Sequence, residues 1–178
     1  RKVEEAGHLL YELTVPNQEV RVALNEALLD ALLPQRHEVE ATLTVLRALR
    51  AGDSETLRAE FEHLFAQIPY DWHYPLGHLE AYYASLFYSF LASTGVRLLA
   101  EAHTRDWRID LVVQAGATVW VIEFKVIEGE QATGAALAQL RARDYASAYR
   151  TAPGVTRVIE LAVEFSKTTR RIVGWETR

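Results

Sequence analysis

Residues 107–126, WRIDLVVQAGATVWVIEFKV, constrain this chain more than any other stretch. The segment reads as two strands joined by a tight turn, expected at Ala115-Gly116. From Val119 to Val126 the alternation is strict. Trp120, Ile122, Phe124 and Val126 fall on one face, and Val119, Val121, Glu123 and Lys125 on the other. Ile109, Leu111 and Val113 are expected together on the apolar side of the preceding strand. With Ala115 and Gly116 as the two turn residues, Asp110 would lie across from Val121 and diagonal to Glu123. Two carboxylates and an ammonium then share a face of an otherwise apolar hairpin. That arrangement costs desolvation energy unless something compensates it.

The flanking sequence supplies layers for such a hairpin. Residues 8–14 suggest a strand without its partner, after a frayed start. Asn17 is a good N-cap for a helix whose apolar stripe is Val20, Leu24, Ala27, Leu28 and Ala31, ended by Pro34. A second helix over about 35–51 would turn Val39, Thr42, Leu43, Leu46 and Leu49 inward and stop at Gly52. A third opens at Asp53-Ser54 and carries Leu57, Phe61, Leu64 and Phe65. His37 and His63 read as surface or boundary residues. An aromatic loop over 70–75, which holds His73, precedes a strongly apolar helix over 76–94. Glu80 sits near that helix's start, where the helix dipole favours a glutamate.

A strand over 96–103 leads into the hairpin. After it comes a helix over about 132–150, with Ala135, Ala138, Ala142 and Ala146 on one side so that it can lie close on a sheet. Strands over 155–165 and 171–175 close the chain. The order predicts an α/β fold, one mixed sheet flanked by helices with a crossover helix between its third and fourth strands.

Composition bounds the reading. At 178 residues and 49% hydrophobic, the chain can bury a real core. No cysteine is present, which excludes disulfides and thiolate metal sites and fits a cytoplasmic protein. The densest apolar run, 79–91, is too short and too polar to span a membrane. Residues 1–5 are charged and no apolar h-region follows, so no signal peptide is expected. No methionine occurs, even at position 1, which suggests a part of a longer chain. Residues 1–95 carry 7 basic against 14 acidic side chains, and residues 96–178 carry 12 against 10. The basic footprint expected of a nucleic-acid binder is therefore thin and confined to the second half.

Asp110 with Glu123-Phe-Lys125 are the residue types that metal-dependent phosphodiester hydrolysis needs. Two hard carboxylate oxygens plus the Phe124 carbonyl would hold Mg²⁺ (or Mn²⁺) and leave positions for water and a phosphate oxygen. Lys125 would orient the water or offset charge in the transition state. The bare pattern D-x12-ExK also occurs in salt-bridged solvent faces. Its setting on a central, apolar hairpin argues for chemistry. No glycine-rich phosphate loop, HExxH pair or GxSxG elbow is present.

WRIDLVV, VIEFKV and ALAQLRARDYASAY together resemble the PD-(D/E)XK nuclease domain at the C-terminus of bacterial AAA-ATPase-like proteins, in the RecB-like branch. VPNQEVR upstream is similar to the segment that joins the two parts in that family. The resemblance implies a restriction-endonuclease-like core over 70–178, preceded over 1–69 by an acidic helical lead-in from an ATPase-like part. It implies Asp110 and Glu123 as metal ligands, Lys125 as the catalytic lysine, and Glu80 completing the metal site. Gln139 matches the glutamine of that branch's helix, placed to contact phosphate or a nearby water, and Tyr145 matches its accompanying tyrosine. Arg108, in the family's RID pattern, would pair with Glu123 or contact phosphate. Tyr145, Arg141 and Arg143, with Arg105, Lys167, Arg170 and Arg171, are further candidates for nucleic-acid contact. Ile109 stands where the proline of the family name would be.

The implied function is Mg²⁺-dependent hydrolysis of DNA, ahead of RNA, in a chain whose partners are nucleic acid and its own ATPase-like part. A homodimer is left open. The competing reading is a catalytically silent module of the same fold that binds nucleic acid or a partner for the ATPase. A structural sheet with salt-bridged carboxylates is a third.

Overall fold

A computed structural model describes residues 2–5, 8–11, 15–32, 39–68, 79–103 and 108–178. Its elements run β1 (Lys2–Glu5), β2 (His8–Tyr11), α1 (Gln18–Leu32), α2 (Val39–Ala51), α3 (Ser54–Ala66), α4 (Leu79–Ser93), β3 (Arg97–His103), β4 (Arg108–Ala115), β5 (Thr118–Ile127), α5 (Ala135–Arg143), α6 (Ser147–Arg150), β6 (Arg157–Ser166) and β7 (Ile172–Thr177). β3 to β7 form one sheet in sequential order. β5 and β6 are parallel, and every other neighbouring pair is antiparallel. This is the mixed sheet with flanking helices expected of a restriction-endonuclease-like α/β fold. The crossover between β5 and β6 carries α5, as the sequence predicts. β2 is not orphaned, because it pairs antiparallel with β1.

Two cores sandwich the sheet. The larger gathers side chains of α1 to α4 against Leu111, Val113, Trp120, Ile122, Phe124, Leu161, Val163 and Phe165. Aromatic rings fasten it: Phe61 stacks on Phe87, Tyr83 on Phe165, and Phe87 meets Phe124 edge-on at 4.9 Å. Trp120 Nε1 donates to the Leu49 carbonyl at 2.9 Å and Trp175 Nε1 to Ser54 Oγ at 2.8 Å, so α2 and α3 are tied directly to the sheet. The smaller core lies under α5 and holds Val112, Val119, Val121, Ala136, Leu137, Leu140, Tyr145 and Ala162. β5 is thus buried on both faces, as the strand beside a crossover must be. The two faces of β5 divide between the cores as the alternation predicts. Ile109, expected beside Leu111 and Val113, instead belongs to the smaller core.

Three helix readings need correction. In α1 the expected stripe faces solvent: Val20, Leu24 and Leu28 are exposed, Leu24 by 49%, while Asn25 and Leu29 are buried. The helix has apolar residues on two sides, and packing against α4 selected the other one. Leu43 of α2 is likewise exposed, and Val45 and Leu49 are buried. The helix expected over 132–150 is two helices, because Asp144 takes the left-handed conformation (φ 38°) and its N–H caps the Leu140 carbonyl. Of its alanine side only Ala146 is buried. Ala136, Leu137 and Leu140 pack on the sheet instead, leaving Ala135, Ala138 and Ala142 exposed.

Asn17 caps its helix as predicted, accepting from the Val20 N–H at 2.9 Å, and Asp53, where the third helix was expected to open, caps that one by accepting from the Thr56 N–H at 3.0 Å. The aromatic loop with His73, and His37, lie outside the described residues. Among the described residues no helix is long and apolar enough to cross a membrane.

Candidate active site

The site begins with a turn. The β4–β5 pairs run from Leu111↔Ile122 to Ala115↔Thr118, so the turn residues are Gly116 and Ala117 rather than Ala115 and Gly116. Gly116 takes φ +65°, and Ala117 keeps a negative φ. Glycine at the first central position with that sign is what a type II′ hairpin turn requires. The pairs end at Leu111↔Ile122, short of Asp110 and Glu123, and Ile109 lies on the face of Val112 rather than of Leu111, so β4 is irregular at Asp110. There the Asp110 carboxylate takes over from the ladder: its Oδ2 accepts from the Phe124 N–H at 3.0 Å. In an extended strand one residue's N–H and C=O point to the same edge. The Phe124 carbonyl therefore lies on the Asp110 side as well.

Glu123 is fully buried, at 0% exposure, on the α5 face of the sheet. Its Oε1 accepts from Lys125 Nζ at 3.1 Å and from Gln139 Nε2. Among the described residues its Oε2 is buried without any hydrogen-bond partner. Burial pushes the Glu123 carboxyl up to about 7, helped by the negative charge of Asp110 and opposed by Lys125 and Arg143. A group that should be a carboxylate at neutral pH is thus held at the edge of protonation. Lys125 stays partly in solvent, with 30% of its side chain exposed.

α5 and the residues after it extend the network. Gln139 Nε2 also donates to Tyr145 Oη at 3.4 Å, and Arg143 Nη1 donates to the same oxygen at 2.7 Å. Tyr145 is buried to 2% exposure, so it supports Gln139 and Arg143 and presents no open ring face. The guanidinium of Arg143 lies 6.0 Å from the Tyr145 ring centre. Its affinity for its proton is raised first by the Tyr145 hydroxyl and further by Glu123 and Asp110. Arg141 points to solvent.

The structure therefore brings together Asp110, Glu123, Phe124, Lys125, Gln139, Arg143 and Tyr145. Of Glu80, the second residue of α4, and Arg108, the first of β4, only the backbone is described. Gln139, expected to meet phosphate or water, bonds Glu123 itself.

Two buried carboxylates went unnoticed in the sequence. Glu164 of β6 accepts hydrogen bonds from Thr133, Gly134 and Ala136 at the start of α5. Glu160 of β6 is paired with Arg178 at 3.2 Å and Arg150 at 3.9 Å. The signal that exposed Glu123, a charge inside an apolar alternation, was present for both in RVIELAVEFS.

The residues fit a divalent metal. A buried oxygen without a hydrogen bond is rare and costly. Here it belongs to a carboxylate close enough to Asp110 for that negative charge to raise its proton affinity. Among the described residues no group of three or more His, Cys, Asp or Glu converges. The donors are hard oxygens from a carboxylate pair, the set that suits Mg²⁺, which keeps most of its waters.

A restriction-endonuclease-like sheet with D-x12-ExK on its central hairpin defines a nuclease fold. The sequence model of the PD-(D/E)XK nuclease superfamily matches residues 78–175, and the chain belongs to that superfamily. It is also 40% identical over 168 residues to an uncharacterized protein in the vnfD 5′ region of Azotobacter chroococcum mcd 1. That alignment covers 93% of this chain but 32% of the relative, so the chain spans about a third of the curated protein it matches. No solved structure matches.

Proposed function

We propose that this domain is a Mg²⁺-dependent nuclease that hydrolyses DNA, with Asp110 and Glu123 as metal ligands. The observation that carries the reading is the fully buried Glu123 carboxylate, with Oε2 unpartnered, Oε1 held by Lys125, and Asp110 near enough to act on its charge. Bound there, the metal would polarise the phosphate and lower the pKa of an attacking water. The Phe124 carbonyl is a third donor, and Glu80 is the acidic residue proposed to complete the set.

The protein's own groups divide the remaining work. Gln139 and Lys125 both occupy Oε1 of Glu123, which leaves Oε2 for the cation. Lys125, partly in solvent, orients the attacking water and offsets charge developing on the phosphate. Arg143, propped by the Tyr145 hydroxyl, brings a guanidinium near both carboxylates and is proposed to hold a substrate phosphate. Arg108 and Arg141 are proposed to add backbone-phosphate contacts. Tyr145 contributes by fixing Gln139 and Arg143.

The domain is proposed to work within a longer chain, next to an N-terminal AAA-ATPase-like part. The similarity of VPNQEVR to that family's joining segment and the greater length of the Azotobacter relative support this.

The test is calorimetric titration of Mn²⁺ into the wild type and Glu123→Ala, with plasmid and RNA cleavage assays alongside. Metal binding and DNA cleavage that both vanish in the variant are expected. A wild type that binds no metal overturns the reading. Binding without cleavage of either substrate turns it into a silent module of the same fold.

A further inference from the structure

We propose that Glu164 is a positioning residue for this site, its carboxylate setting where α5 presents Gln139 to Glu123. Local capping of α5 is thin: Gly134 stands at the N-cap with φ 72° and no side chain, and Thr133 Oγ1 accepts only from the Ala135 N–H, at 3.3 Å. The sheet supplies most of the cap. Glu164 Oε1 accepts from the Ala136 N–H at 3.1 Å and from Thr133 Oγ1 at 3.1 Å, and Oε2 accepts from the N–H groups of Thr133 and Gly134. Burial raises the Glu164 carboxyl's proton affinity, but these bonds outweigh it and hold the group ionised, below its usual range.

The strand register explains why this matters for the site. Glu164 pairs with Lys125 and Ala162 with Glu123 on the parallel strands β5 and β6. The cap thus lies one strand over and two residues along from Glu123, roughly 7 Å along the strand direction. From Ala136, bonded to Glu164, to Gln139 the helix advances three residues, roughly 4.5 Å. The helix is therefore pinned at one end by β6 and touches β5 about one turn later. Slippage by one residue would move Gln139 by roughly 1.5 Å and rotate it by about 100°, away from Glu123.

The same bonds keep Glu164 from Lys125, its neighbour in register, so that Lys125 pairs with Glu123. Room for the clasp comes from Gly174, opposite Glu164 on β7: a Cβ there would stand 3.0 Å from the Glu164 Cβ and 3.2 Å from that of Ala132.

The experiment reads Gln139 directly. The side-chain amide ¹⁵N–¹H signals of the metal-free protein are recorded and assigned by their loss in Gln139→Ala. In folded Glu164→Ala they are expected to move to the position of a solvent-exposed glutamine, and in Glu164→Gln, which keeps one acceptor oxygen, part of the way. Unchanged Gln139 signals in either variant overturn the proposal. Should Glu164→Ala fail to fold, Glu164→Gln decides alone.

A kinetic arm rests on the nuclease reading. Mn²⁺-supported kcat should fall by about ten- to a hundredfold in Glu164→Gln with KM little changed. Gln139→Ala should cost less in that variant than in the wild type, and fully additive losses would overturn the proposal. Absence of cleavage in the wild type defeats the nuclease reading, while the amide signals still decide the role of Glu164.

Discussion

Replacing Glu123 by glutamine should stabilise the metal-free protein above neutral pH. The side chain is fully buried, and its carboxyl stands at about 7 against an ordinary value of 4.5. At about 1.4 kcal/mol per pH unit, that difference means that ionised Glu123 costs the fold ~3 kcal/mol. Because the folded value lies above the unfolded one, the favourable contribution of neutral Glu123 is complete below about pH 4. It is lost as pH rises through about 7. Glutamine keeps the shape and an oxygen for Lys125 and Gln139, and carries no charge. At pH 8 the melting temperature of metal-free Glu123→Gln should exceed that of the wild type by roughly 5–10 °C. At pH 4.5 the two should nearly coincide. Lys125, left with a weaker partner, trims the gain only slightly because it is partly solvated. Mn²⁺ at saturating concentration should reverse the order, since only the wild type gains from the ligand. Thermal melts at both pH values, with and without Mn²⁺, measure all of this. A variant that melts no higher than the wild type at pH 8, or a gap that ignores pH, would refute the reasoning that burial strains this carboxylate.

Three further outcomes follow from particular contacts. Lys125→Ala should still bind Mn²⁺ by calorimetry while DNA cleavage falls by about 10²- to 10⁴-fold, as expected for loss of a group that handles the reacting water. Trp120→Phe removes the bond to the Leu49 carbonyl that ties α2 to β5, and should cost about 1–3 kcal/mol in urea unfolding. Leu24→Glu should change stability by no more than about 0.5 kcal/mol, because the side chain faces solvent. A loss of about 2–5 kcal/mol would instead mean that the stripe is part of the core.

Strand alternation was legible in the sequence because side chains in a strand alternate with a period of two whatever lies around them. The assignment of Trp120, Ile122 and Phe124 to one face, and of Val121 and Glu123 to the other, needed nothing beyond the order of residues. So did the caps at Asn17 and Asp53, which are satisfied within three residues of chain. Register was not legible to that depth. The turn falls one residue later than the sequence suggests, and β4 leaves the regular ladder at Asp110, whose carboxylate accepts from the Phe124 N–H instead. The buried face of α1 was equally undecided, because apolar residues lie on two sides and only contact with α4 chose between them. The condition of Glu123 is the most tertiary property of all. Its raised pKa and its unpartnered oxygen depend on Asp110 across a hairpin, on Gln139 sixteen residues away, and on a helix that β6 holds in place. A sequence names the groups that can carry charge, but desolvation and the distances between charges exist only once separate elements have packed.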